Sequence, residues 1–189
     1  MAEIKPKITK SHRTKKPLIK IEMISHGTLS VVDIQKSRRF YEEVLGFEVI
    51  QHAPVGLLIR LGSEHVYVVI EDGQKSPMRL VDHNGLDLES NEAVNEAHAT
   101  LLSLKEEYGL GRIHKPQEQH GAYSFYFQDM DGNWWEILAG RGHGYTFAYD
   151  DPNRDMTQRD DIDPERMDHS FDDEFVGELV AKRDRAAKD

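Results

Sequence analysis

Met23-Ile24-Ser25-His26-Gly27-Thr28-Leu29-Ser30-Val31 and, 57 residues on (26 to 83), Leu80-Val81-Asp82-His83-Asn84-Gly85-Leu86-Asp87-Leu88 are two versions of one pattern. Both alternate apolar and polar residues, as a half-buried strand does, and both place a histidine fourth. A helical pattern follows each. In the first copy Ile34 to Val44 sets Phe40, Tyr41, Val44 and Leu45 on one stripe, with Gly46 as the stop. In the second, Asn91 to Glu107 sets Val94, Ala97, Leu101 and Leu104 on one stripe, with Gly109 as the stop. Strand-like runs come next: Phe47 to His52, Gly56 to Leu61 and His65 to Glu71 in copy one. Copy two has a short run near Ile113, then Tyr123 to Phe127 and Asn133 to Leu138.

Each copy therefore reads strand, helix, three strands. Half a sheet of this size is marginal alone. The expected class is α+β, with two βαβββ modules paired into one cupped mixed sheet around a metal site. The modules span about 18–72 and 79–140 within a domain at 18–140. Before it lies a basic arm, 1–17, with Lys5, Lys7, Lys10, Arg13, Lys15 and Lys16. After it lies an acidic extension, 141–189, where a short helix over Glu174 to Arg185 would align Phe175, Leu179 and Val180.

A net charge of -10 makes the chain a poor ligand for phosphate backbones, so no nucleic acid and no anionic membrane is expected as partner. No apolar run approaches the roughly 20 residues of a membrane span. The basic arm lacks the apolar stretch of a secretory signal, and a cytoplasmic protein is expected. Cysteine is absent, which excludes disulfides, thiolate zinc sites and cysteine nucleophiles. Any metal is left to His, Asp and Glu.

Alternation assigns the faces. Ile24, His26, Thr28 and Ser30 share one side of the first strand, and Met23, Leu29 and Val31 lie on the other. The apolar side must meet the helix, so the side with His26 looks into the cup. The same division places His83 with Gly85 and Asp87, against Leu86 and Leu88. A carboxylate completes the candidate set: Glu136, in a strand between Trp135 and Ile137, just after the turn Asp131-Gly132-Asn133. Unpaired, it would be costly to bury there. Two histidines and one carboxylate with open positions form the arrangement associated with Fe(II) and oxygen chemistry. Fe(II) is thus the expected metal, and Mn(II) suits the same ligands.

Phe40-Tyr41-Glu42-Glu43-Val44-Leu45-Gly46-Phe47 resembles the F-Y-x-x-V-L-G-F signature of the vicinal oxygen chelate superfamily, and Asp129-Met130-Asp131-Gly132-Asn133-Trp134-Trp135-Glu136 resembles its D-x-D-G-N-x-x-E ending. The resemblance covers about residues 20–140. It is similar in particular to one-domain type I extradiol dioxygenases. That implies ring cleavage of a catechol-type diol, including dihydroxybiphenyl-like diols, by dioxygen at a metal held by His26, His83 and Glu136. It further implies Tyr126 as hydrogen-bond donor to a substrate oxygen, His65 as acid and base, and His120 as a further active-site histidine. A homo-oligomer is expected on the same ground. Two alternatives stand: a glyoxalase-I-like isomerase with His65 or Glu71 as fourth ligand, and a resistance protein that binds a small molecule without turnover.

Overall fold

The computed structural model describes residues 9–13, 17–119, 121–140, 144–146, 149, 155 and 157–158 of the chain. The expected helix over Glu174 to Arg185 lies outside them.

Asp33 starts the first helix, α1 (Ile34–Glu43), by accepting from the backbone N–H groups of Gln35 and Lys36. Ile34, Ser37, Phe40 and Tyr41 form its buried stripe. Ser90 caps α2 (Asn91–Tyr108) in the same way through Ala93, and Gly109 ends it at φ 64, a left-handed conformation that glycine takes at little cost. Strands β1 (His26–Val31), β2 (Glu48–Ala53), β3 (Gly56–Arg60) and β4 (Val66–Glu71) form one sheet in the order β1-β4-β3-β2. Strands β5 (Asn84–Asp87), β6 (Gln117–Gln119), β7 (Ala122–Gln128) and β8 (Trp134–Ala139) form another in the order β5-β8-β7-β6. In both, the first strand runs parallel to the last and the remaining pairs are antiparallel. The duplication in the sequence is thus a duplication of topology, and the class is α+β with two paired βαβββ modules.

The copies differ in detail. Leu80–Asp82 is a single 3-10 turn tied by Arg79 to Asp82, and β5 starts only after His83. The run near Ile113 contributes one isolated bridge to Phe127, while the strand itself is Gln117–Gln119. The cup is likewise divided: within one chain there are two four-stranded sheets, and β1 and β5 each stand at an edge. The apolar faces explain this. Leu29, Val31, Phe40, Phe47 and Ile59 of the first module share one core with Val94, Leu101, Phe125, Phe127 and Trp135 of the second. With both apolar faces spent on that core, the two polar faces look away from each other.

The turn between β7 and β8 fastens the seam. Asp131 accepts from the Val32 backbone N–H at 2.8 Å and from the Ser37 hydroxyl at 2.6 Å. Asn133 donates to the Ser30 carbonyl at 3.2 Å, and Tyr41 donates to Asp129 at 3.2 Å. Gly132, at φ 88, lets the chain double back between them. The aspartates of the sequence signature are therefore structural. Asp129 is fully buried, and burial together with neighbouring Asp131 raises its pKa to about 6, although Trp135 and Asn133 donate to it.

A candidate metal centre on the second sheet

Ladder register decides what faces what. Tyr126 lies directly opposite Glu136, and Gly85 flanks Glu136 on the other side. Partners in a ladder share a face, so β7 and β8 present Tyr126 and Glu136 together on the side away from the core, where Trp135 and Ile137 are buried. His83, just ahead of β5, completes the group. Its Nε2 lies 3.3 Å from a carboxylate oxygen of Glu136. Its Nδ1 lies 2.7 Å from the Leu80 carbonyl, which fixes the ring and turns Nε2 toward the carboxylate.

Glu136 is 1% exposed. Ser124 donates to its other oxygen at 2.7 Å, and Gln119 in turn donates to Ser124. The Tyr126 hydroxyl donates to the same carboxylate, and the ring edge of Tyr126 meets His83 at a centroid distance of 4.8 Å. Burial, then the charge of Glu136, push the Tyr126 phenol far above its ordinary value, so it stays a neutral donor. Burial lowers the pKa of His83, but the hydrogen bonds to Glu136 and Leu80 outweigh it and the net shift is upward. A buried carboxylate facing an imidazole, with hydroxyl donors behind it, has the charge and donor chemistry of a divalent-cation site.

Two of the three expected ligands therefore meet. His26 does not join them within the chain. It is exposed at the start of β1, on the other sheet, with Ser25 as hydrogen-bond partner at 2.7 Å. Among the described residues of one chain, no three His, Cys, Asp or Glu side chains gather as an ion-holding group. His65 also lies apart. His26 pairs with Val66, so His65 falls one residue out of phase, on the core-facing side of the first sheet, with its ring edge against Tyr67 at 5.1 Å. Glu71 has the same phase as His65, and its carboxylate accepts from the Ile34 backbone N–H at 2.7 Å. On the polar side β4 offers only Val66, Val68 and Ile70. His120 lies outside the described residues.

Sequence reasoning missed Ser124, Gln119 and His114. Ser124 shares the phase of Tyr126 on β7, which the alternation contained. His114 gave no signal of its own. It comes in through the link from α2 and sets its ring 6.2 Å from Tyr126 and 5.4 Å from Trp134. Burial, aided by Arg112, holds its pKa below the ordinary histidine value, so it is a neutral imidazole near pH 7. The turn Gly144–Thr146 packs against β5 and brings Tyr145 within electrostatic reach of Tyr126.

The family model of the Glyoxalase/Bleomycin resistance protein/Dioxygenase superfamily matches residues 23–137. The chain belongs to this superfamily. A relative within reach of sequence comparison is the virulence protein STM3117 of Salmonella typhimurium, 28% identical over 124 residues, which are 62% of this chain and 83% of that protein. Among solved structures, the chain is similar to the fosfomycin resistance protein FosX of Listeria monocytogenes in complex with Mn(II) and sulfate. The TM-score is 0.53 at 24% identity, over 64% of this chain and 92% of that one. A lactoylglutathione lyase from Agrobacterium tumefaciens gives 0.50 at 17% identity, over 66% of this chain and 98% of that one. At these identities the likeness is one of superfamily fold. The match takes in both modules, and it ends at Ile137, next to Glu136.

Proposed function

We propose that the chain is a divalent-metal enzyme that takes a small substrate through two neighbouring oxygens. Its protein ligands are His83 and Glu136 of one copy and His26 of a second. The observation that carries this is the buried Glu136 facing Nε2 of His83 at 3.3 Å. That is two-thirds of a ligand set, and it stands beside β5, a sheet edge. His26 stands on the matching edge, β1, of the other module. Edges of this kind pair with further chains. Bringing β1 of a second copy to β5 joins the two polar faces and supplies the third ligand.

The metal, when bound, supplies Lewis acidity at the substrate oxygens. The chain's own groups do the rest. Leu80 and Ser124 hold the ligand side chains in place. Tyr126, kept neutral, donates a hydrogen bond to one substrate oxygen. His114, a neutral imidazole beside it, accepts the proton that the substrate gives up and returns it later. It fills the role that the sequence suggested for His65.

The ligand count selects among reactions. A four-ligand isomerase needs a further donor on β4, and the positions on its polar side are Val66, Val68 and Ile70. Three ligands with open positions suit Fe(II) and dioxygen, with Mn(II) second. Ring cleavage of a catechol-type diol beside its hydroxyls is the activity this set and Tyr126 support best. Protein loaded with Fe(II) or Mn(II) should turn a panel of substituted catechols yellow under air, with matching oxygen uptake. Neither colour nor uptake across the panel defeats the dioxygenase reading.

The two-copy centre has its own test. His26→Ala and Glu136→Ala chains should each fail to retain Mn(II). After mixing and subunit exchange, about a quarter of the wild-type metal content should return, because half of the dimers are mixed and each holds one intact site. A mixture that stays empty rules out a centre shared between copies.

A further inference from the structure

Two strands of the first sheet are apolar on both sides. Val66-Tyr67-Val68-Val69-Ile70 and Leu57-Leu58-Ile59 lack the alternation of a sheet with one face in water. Leu57, Ile59 and Val69 account for one side, buried in the common core. The other side lies outside that core. Register sets Val66, Val68 and Ile70 beside His26, Thr28 and Ser30 of β1. It sets Leu58 beside Val68 and Ile50 beside Leu58. Ladder neighbours stand about 4.8 Å apart and share a face, so these five aliphatic side chains form one patch that begins next to His26. Ile50 is 59% and Ile70 40% exposed. A contiguous apolar patch of this kind marks a surface that something covers.

Charge narrows what that is. Arg60 is the only lysine or arginine within the eight described strands, and Glu48 holds it through two hydrogen bonds of 2.9 and 2.8 Å. On the second sheet, the side that carries Glu136 and Tyr126 also carries Asp87 and Gln128. Off the strands, Arg112 stands within electrostatic reach of His114, but it is exposed, and an ion pair made in water is worth little. An anionic substituent brought between these faces would leave water without a free cation on either wall to meet it, which is costly. A hydrocarbon substituent would gain with every part of its surface that the patch hides.

We infer that the site takes a diol that is uncharged outside its two oxygens and carries a bulky apolar substituent, and that Val68, in the middle of the patch, sets this preference. The inference rests on the reading of the metal centre given above, in which the face that carries His26 is one wall of the site. It adds what that wall admits.

Binding, read without turnover, tests it. The full chain loaded with Mn(II) is titrated by calorimetry, in the absence of air, with catechol, tert-butylcatechol and protocatechuate, which carries a carboxylate. The tert-butyl compound should bind about tenfold more tightly than catechol, and protocatechuate no more tightly than catechol. Val68→Lys should reverse the order of the two substituted diols. Ile70→Lys, at a position already 40% exposed and two residues along the same face, should move the order the same way and serves if the first variant does not fold. A wild-type chain that binds all of them alike overturns the inference, because protein then covers the patch. A wild-type chain that prefers protocatechuate overturns it too, as does an order that the introduced lysine leaves unchanged. In each of these outcomes the diol reading of the metal centre stands. A chain that keeps no Mn(II), or binds none of the diols, defeats that reading and the inference with it.

Discussion

As a proposed ligand, Glu136 depends on what stands behind it. Ser124 holds one carboxylate oxygen and leaves the other facing His83, and Gln119 holds Ser124. Outer partners of this kind typically contribute 10- to 100-fold to metal affinity. Ser124→Ala should therefore weaken Mn(II) binding by roughly that factor in a titration, with the far-ultraviolet circular dichroism unchanged. Wild-type affinity in this variant would show that Ser124 is packing and no more. At this scale the sequence was partly legible. Alternation put Tyr126 and Glu136 on one face because a strand's period is fixed. It could not find His114, whose place depends on how the link after α2 lies over the sheet. It also misjudged His65, because a one-residue difference in where β4 begins reverses a side chain.

At the scale of elements, the β7–β8 hairpin does two things. Its arms carry Tyr126 and Glu136, and its turn bolts the second module to the first through Asp131 and Asn133. Asp131→Ala would leave the Val32 N–H without its acceptor at the seam, while the Ser37 hydroxyl keeps the Asp33 carbonyl. An orphaned buried donor costs about 1–3 kcal/mol, so the variant should lose about that much stability, read as a lower urea midpoint. A loss under about 0.5 kcal/mol, the usual size of a surface substitution, would mean that water replaces the carboxylate there. The element order was readable from the repeat, since both copies show the same switch from alternation to helical spacing. Element ends were not. β5 is shorter than its sequence pattern because the Arg79–Asp82 contact winds Leu80–Asp82 into a turn. The short strand expected near Ile113 falls at Gln117–Gln119, where polar residues pair with β7 and hide the usual apolar signal.

For the whole molecule, the decisive fact is which faces are spent within the chain. The apolar faces of both modules are used on a common core, so the polar faces cannot close on each other in one copy. No local pattern encodes this: alternation says that a face is polar and is silent on whose face meets it. The second sheet's polar side is already covered at Glu136, Ser124 and Tyr126, while the first sheet leaves Ile50 and Ile70 exposed. If a second copy completes the centre, metal content per chain should fall on dilution below the dimer dissociation constant and recover on concentration, by mass action. Electron paramagnetic resonance of Mn(II) across a dilution series measures it, and a constant bound fraction speaks for ligands from one chain. No helix among the described residues is long and apolar enough to cross a membrane.

The hairpin turn also sets a limit on what variation can reach. Four residues separate Asp131 from Glu136, and Asp131 is bolted across the two halves of the fold. Any substitution that shifts the carboxylate along its strand also pulls on that bolt, so an altered ligand position would first register as a poorly folded chain. The walls that include Tyr145 and His114 come from outside this hairpin. Under the proposed reading, then, the place of the ion is kept by the same contacts that keep the fold.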